Sequence, residues 1–155
     1  AAFEQVLQID GRNPAVCVEI AQTYVREGDY EEAQGWFEQA IQRAPADVGF
    51  HLAFAEFEAE TLYDVARGLS AAQAAVELEP DNPVAYDLLG WLLFLSRKWD
   101  AAEHALQRAL VLESGLVSAY YHLGRLYEAE RRFGQARWAF GRAVDLGRGP
   151  EVRPR

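Results

Sequence analysis

Large apolar residues recur along the chain at helical steps, and small residues recur among them at a much longer interval. In "AYYHLGRLYEA", residues 119–129, Tyr120, Leu123, Gly124 and Tyr127 stand at i, i+3, i+4 and i+7, the spacing of one helix face. "AYDLLGWLLFL", residues 85–95, repeats the outline around Gly90. Glycine inside a helix costs about 1 kcal/mol relative to alanine, so its return needs a packing reason. The small residues Ala21, Ala55, Gly90 and Gly124 are 34, 35 and 34 positions apart. Ala40, Ala75, Ala109 and Ala143 repeat at 35, 34 and 34, and Ala33, Gly68, Ala102 and Ala136 form a third series. One extra residue therefore falls between Ala55 and Gly68. Large residues fill the complementary columns: Ile20, Phe54, Leu89 and Leu123 in one, Tyr24, Leu93 and Tyr127 in another.

Each period predicts two helices joined by a short turn such as "EGDY" or "LSRKW", with Tyr30, Trp99 and Phe133 opening the second helix of three periods. Pro45 and Pro80 close two periods, and Pro14 and Pro83 begin two; proline is tolerated in a first helical turn and stops a preceding helix. Gly90 and Gly124 are expected where paired helices cross closely, because a side chain there would hold the backbones apart.

This pattern resembles the tetratricopeptide repeat, whose signature of Trp/Tyr–x2–Leu–Gly–x2–Tyr followed by Ala, Phe, Ala and Pro is matched best over residues 117–150 and 83–116. Residues 14–47 match with Cys17 and Ala21 in place of the aromatic and glycine. Residues 48–82 depart further, with Glu58 at an aromatic position, Gly68 at an alanine position and Ala72 at a large one. Residues 1–13 resemble the tail of a preceding helix, with Phe3 and Val6 in its columns, and 151–155 form a tail. The resemblance implies an all-α fold, a right-handed α-solenoid of antiparallel helix pairs with four repeats in one domain. It further implies a concave wall lined mainly by the first helices.

Composition bounds the reading. At 155 residues, half apolar and a quarter charged, the chain is long enough for one domain with a substantial core. No run of apolar residues is long enough to cross a membrane. The single cysteine, Cys17, excludes an intramolecular disulfide framework, fits a reducing, cytoplasmic setting and is expected as a buried thiol. A start without methionine, inside an uncapped apolar run, predicts a piece of a longer protein; fourteen arginines to one lysine point to a bacterial source. Residues 1–82 hold sixteen acids and four bases, residues 83–155 eight and eleven. That split lacks the coherent positive face a nucleic-acid platform needs.

Chemistry is sparse. There is no glycine-rich phosphate loop, nucleophile elbow or HExxH, and "GRGP" at 147–150 reads as a helix end. His51, His104 and His122 are expected to be a scatter without a shared site. Glu56 and Glu60, four apart, are expected to form a solvated acidic face. No catalysis, metal or cofactor is expected.

On the first helices, the face turned away from the core columns holds Val18, Gln22 and Val25, then Leu52, Glu56 and Ala59, then Asp87, Trp91 and Phe94, then Tyr121, Arg125 and Glu128. A merely solvated face would be mostly polar, so this one is expected to be a partner-binding groove. The lysine-, arginine- and asparagine-rich set with which some tetratricopeptide domains hold a terminal carboxylate is absent from these columns, where Arg125 is the cation. Glu56 and Asp87 beside aromatics favour a protein or peptide with apolar anchors and a basic flank; the other reading of Trp91 and Phe94 is packing against neighbouring repeats. A second functional reading is a self-associating segment of a larger regulatory protein. Its head-to-tail contact would join an acidic start (Glu4, Val6, Leu7, Asp10) to a basic end (Arg137, Trp138, Arg142, Val144, Arg148). An enzyme's accessory domain is a third.

Overall fold

The computed structural model describes residues 13–148. The expected tail of an earlier helix, including Phe3, Glu4, Val6, Leu7 and Asp10, lies outside the described residues, as does the tail 151–155. Among the described residues eight α-helices follow one another: α1 Pro14–Glu27, α2 Tyr30–Arg43, α3 Val48–Phe57, α4 Val65–Leu78, α5 Pro83–Leu95, α6 Trp99–Leu112, α7 Val117–Ala129 and α8 Phe133–Gly147. Among the described residues no strand occurs, and no helix is long and apolar enough to cross a membrane. The fold is an all-α helical repeat.

Local chemistry sets the boundaries. Pro14 and Pro83 occupy first turns behind the N-caps Asn13 and Asn82. Asn13 Oδ1 accepts from the Ala15 amide at 3.0 Å, and Asn82 Oδ1 accepts from Val84 and Ala85 at 3.0 and 3.1 Å, satisfying donors a helix start leaves open. Each turn inside a helix pair contains one residue in the left-handed region: Gly28, Tyr63, Arg97 and Arg131. At three of them the next amide reaches back five residues, Asp29 to Tyr24, Lys98 to Leu93 and Arg132 to Tyr127, at 3.0, 2.9 and 2.8 Å. That is the Schellman closure.

The remaining turn differs. Between α3 and Tyr63 the chain winds through a π-helical turn, Glu58–Leu62. Ala55 to Tyr63 spans one residue more than Ala21 to Gly28, whereas the distance from the left-handed residue to the next small-residue column is unchanged. The extra residue is absorbed in the wider π turn.

The chain divides into two compact units, residues 1–78 and 79–155. In the first, α1 pairs with α2, α3 pairs with α4, and α3 also lies against α2. Its core combines the fully buried Cys17, Ala21, Ala33, Ala40, Ala55 and Ala72 with three phenylalanines. The Phe37 ring lies 5.0 Å from Phe57 and 6.2 Å from Phe54. The Cys17 thiol donates to the Asn13 carbonyl at 3.6 Å and meets Arg43 Nη1 at 2.6 Å.

In the second unit, α5 pairs with α6, α7 pairs with α8, and α7 lies against both α5 and α6. Ala102, Leu106, Leu123, Leu126, Tyr127, Ala136 and Ala139 form its core. A Cβ on Gly90 would stand 2.6 Å from Leu106 Cγ and 3.2 Å from the Leu106 amide nitrogen, so helix backbones do meet there. At Gly124 the close neighbour is the Phe140 ring, 2.5 Å from such a Cβ, rather than backbone. Ala40, Ala75 and Ala109 are fully buried. Ala143, the last of that column, is half-buried and borders an apolar groove.

Candidate partner-binding surface

In the first unit, the expected face residues come from α1 and α3. Val18 and Leu52 are half-buried, and Gln22 and Glu56 are exposed. Gln22 and Glu56 meet at a small cavity of about 240 Å3. Val25, Phe37, Ala53 and Phe57 supply its apolar walls, and Arg26, Glu60 and Thr61 join the polar rim. Arg26 Nη2 donates to Thr23 Oγ1 at 2.8 Å, along its own helix. Glu60 and Thr61 belong to the π turn, so the two carboxylates expected on a regular helix face reach one cavity from different windings. Ala59 is buried and leaves the expected surface.

A charged group the sequence placed in an aromatic column lies behind that turn. Glu58 is fully buried; its Oε1 accepts from Gln34 Nε2 at 2.7 Å and stands 3.6 Å from Arg67 Nε, while Oε2 is buried without a partner. Burial drives its pKa above the ordinary 4.5, against the opposing pull of Gln34 and Arg67. Arg67 is also paired with Glu38.

The second unit presents an aromatic surface from α5 and α7. Trp91 stacks on Phe94 with centroids 5.2 Å apart and on His122 at 4.6 Å, with planes 27° and 19° apart. Tyr121, 45% exposed, stands edge-on to His122 at 5.8 Å. Arg125 Nη1 donates to Tyr121 Oη at 3.3 Å, and its Nε lies 3.6 Å from Glu128 Oε2. Trp91, Phe94, Tyr121, Arg125 and Glu128 thus share one surface.

Asp87 corrects the sequence reading. It is 5% exposed, and its Oδ1 lies 2.7 Å from His122 Nδ1. Its carboxylate is turned to the neighbouring helix instead of to a ligand. His122, expected to be part of a scatter, is the group that orders this surface: Asp87 holds its Nδ1 and Trp91 its face. The legible signal was the spacing, because Asp87 and His122 are one repeat plus one residue apart on successive first helices. Trp91 packs one ring face against the next first helix while staying half-exposed. Of the other histidines, His51 is buried with Nε2 donating to the Pro45 carbonyl at 2.8 Å, and His104 is exposed.

Tetratricopeptide-repeat family models match residues 1–53 and 117–146. Among solved structures, the chain is similar to MamA 41-end from Desulfovibrio magneticus RS-1, with 18% identity, TM-score 0.80, and 97% of this chain and 84% of that one covered. It is also similar to PilW, a type IV pilus biogenesis factor (20% identity, TM-score 0.84, 97% and 70% covered). A third likeness is to YrrB, described as a TPR protein with an unusual peptide-binding site (20% identity, TM-score 0.73, 95% and 75% covered). A comparison with curated proteins gives no match. With repeat models matching more than half of its length and helix pairs closed by recurrent left-handed turns, the chain belongs to the tetratricopeptide-repeat family.

Proposed function

We propose that this chain is a non-catalytic protein-interaction module that binds a peptide or partner segment on its first-helix faces. The observation that carries this reading is the half-exposed aromatic surface of Trp91, Phe94 and Tyr121, held in place by the pairing of His122 with the buried Asp87. Ordered aromatic groups left in contact with solvent are the usual anchors of recognition. YrrB's peptide-binding site, on a similar fold, supports a peptide as the ligand class. Asp87 is buried against His122, so it does not supply a preference for a basic flank.

Panning a displayed random-peptide library on the wild type and on Trp91→Ala tests the reading. Wild type enriches peptides with a large apolar residue, and Trp91→Ala binds them at least about tenfold more weakly, the factor of 1.4 kcal/mol. Equal enrichment on both overturns it.

A second reading, self-association, is favoured by one observation. An apolar groove of about 910 Å3 at α7 and α8 is lined by Leu116, Val117, Tyr121, Phe140, Ala143 and Val144, among others. The residues 34 positions before Phe140 and Ala143, Leu106 and Ala109, are fully buried. A second copy on this face would make the sedimentation coefficient rise with concentration and respond to salt; a salt-insensitive monomer removes the reading.

A further inference from the structure

We propose that the outer face of α8 is a docking surface for an acidic partner segment that carries a large apolar side chain, separate from the first-helix surface described above. Arg137, Trp138, Arg142, Asp145 and Arg148 are all exposed. At about 100° per residue they fall within roughly 140° of the helix circumference, so one segment can reach them.

This face departs from its counterparts in the earlier helices. Trp138 stands two residues after Ala136, and the matching positions after Ala33, Gly68 and Ala102 hold Gly35, Ser70 and His104. Ser70 and His104 are exposed as well, so the repeat needs no large ring there for its core. Trp138 is 55% exposed and yet seated: its ring stands edge-on to Tyr120 at 5.7 Å, and the Arg142 guanidinium lies 5.6 Å from the centre of the same Tyr120 ring. One position earlier, Arg137 takes the place held by Gln34, Leu69 and Glu103.

Charge decides the occupant. Among the described residues no ion pair involves Arg137, Arg142 or Arg148, whereas Arg67, Arg108, Arg125 and Arg132 are each paired. Asp145 is the single carboxylate of α8. Unpaired guanidiniums beside an exposed tryptophan complement a segment that brings carboxylates to the former and an apolar group to the latter. An anionic bilayer offers similar charge, but the net charge of −9 on the chain opposes approach to an extended negative surface. A short segment feels chiefly the groups within a Debye length, about 8 Å.

The test titrates the whole chain, followed by NMR, with the acetylated and amidated heptapeptide Glu-Glu-Asp-Phe-Asp-Glu-Glu and its uncharged counterpart Gln-Gln-Asn-Phe-Asn-Gln-Gln. The acidic peptide should shift the Trp138 indole and the α8 amides. It should bind about tenfold more tightly than the uncharged one, the size of a few screened charge contacts, and lose that margin as salt is raised. Arg137→Gln combined with Arg142→Gln should remove most of the margin, and Trp138→Ala should weaken both peptides. Lys98→Gln, a like change at another exposed cation of the second unit, should leave the margin intact. Equal binding of the two peptides, shifts centred on Trp91, or equal losses in the arginine and lysine variants overturns the proposal. Retention on phosphatidylserine vesicles without peptide binding also overturns it, by making the face a membrane contact. So does a sedimentation coefficient that rises with chain concentration in wild type but not in the arginine variant, which gives the face to a second copy.

Discussion

The two units place charge at corresponding positions and treat it in opposite ways. In the second, Tyr127 Oη donates to Glu103 Oε1 at 2.9 Å, and Arg132 Nη1 donates to both Glu103 Oε2 and Glu130 Oε2 at 2.7 Å while its guanidinium lies 4.3 Å over the Tyr127 ring. In the first, the column of Tyr127 holds Glu58, and the position matching Glu103 holds Gln34. Donor and acceptor have changed helices. The carboxylate now sits in the π turn that ends the first helix, fully buried, with one oxygen unpaired. A buried acceptor left without a partner costs about 1–3 kcal/mol, so the first unit carries a liability that the second has satisfied.

The largest test is Glu58→Leu, which restores the residue type of Leu93 in that column. Replacing a buried, poorly compensated carboxylate should stabilise the protein by about 1–3 kcal/mol at pH above the raised pKa, read from chemical denaturation. Its pH dependence has a defined sign. Burial raises the pKa of Glu58 above 4.5, so the penalty is complete above the raised value and fades as the folded state takes up a proton on acidification towards 4.5. The advantage of Glu58→Leu should shrink over that window; an advantage that grows instead contradicts the account.

Next in size is Gly90→Ala. Helix propensity gains about 1 kcal/mol from the change, but the clash with Leu106 costs about 1–3 kcal/mol. Net destabilisation is expected, and pairing it with Leu106→Ala should give a double mutant less damaged than the sum. At Gly124 the loss should be smaller, since the obstructing Phe140 ring borders an open groove. Additive losses at Gly90 and Leu106 would separate the two residues.

Arg132→Ala should cost about 1 kcal/mol once screening of a partly exposed guanidinium is allowed for. Glu103 behaves as the mirror of Glu58. Its pKa is lowered chiefly by the hydrogen bond from Arg132, so its contribution is present above the ordinary 4.5 and lost as pH falls below it. The difference between wild type and Arg132→Ala should therefore persist at mild acidity and close at stronger acidity. Smallest is Arg97→Gly. Relief of left-handed strain, about 1 kcal/mol, is partly offset by the greater freedom of the unfolded chain, leaving a gain of a few tenths that a melting curve can detect.

These contrasts also mark what could be read from the chain. The small columns, the helix starts behind Pro14 and Pro83 and the close approach at Gly90 were legible, because spacing and backbone restriction are properties of the sequence itself. The extra residue was legible as an interval but not as a π turn, since hydrogen-bond pattern depends on what packs behind Glu58. Asp87 was misplaced for a related reason. Helical phase puts it beside Trp91, and only the partner 35 residues later turns it inward. Burial of Glu58 was equally hidden, because its compensation comes from Gln34 and Arg67 on two other helices.

The π turn carries a consequence for how such a chain can change length. One added residue is wound off before Tyr63, and the interval from there to Gly68 matches the intervals in the other three turns. A register error that would rotate every later side chain by about 100° is confined to five residues. The helix pair therefore tolerates an insertion at its elbow while the helix after it keeps its phase, which makes that elbow the place where new surface chemistry can be tried without rebuilding the interior.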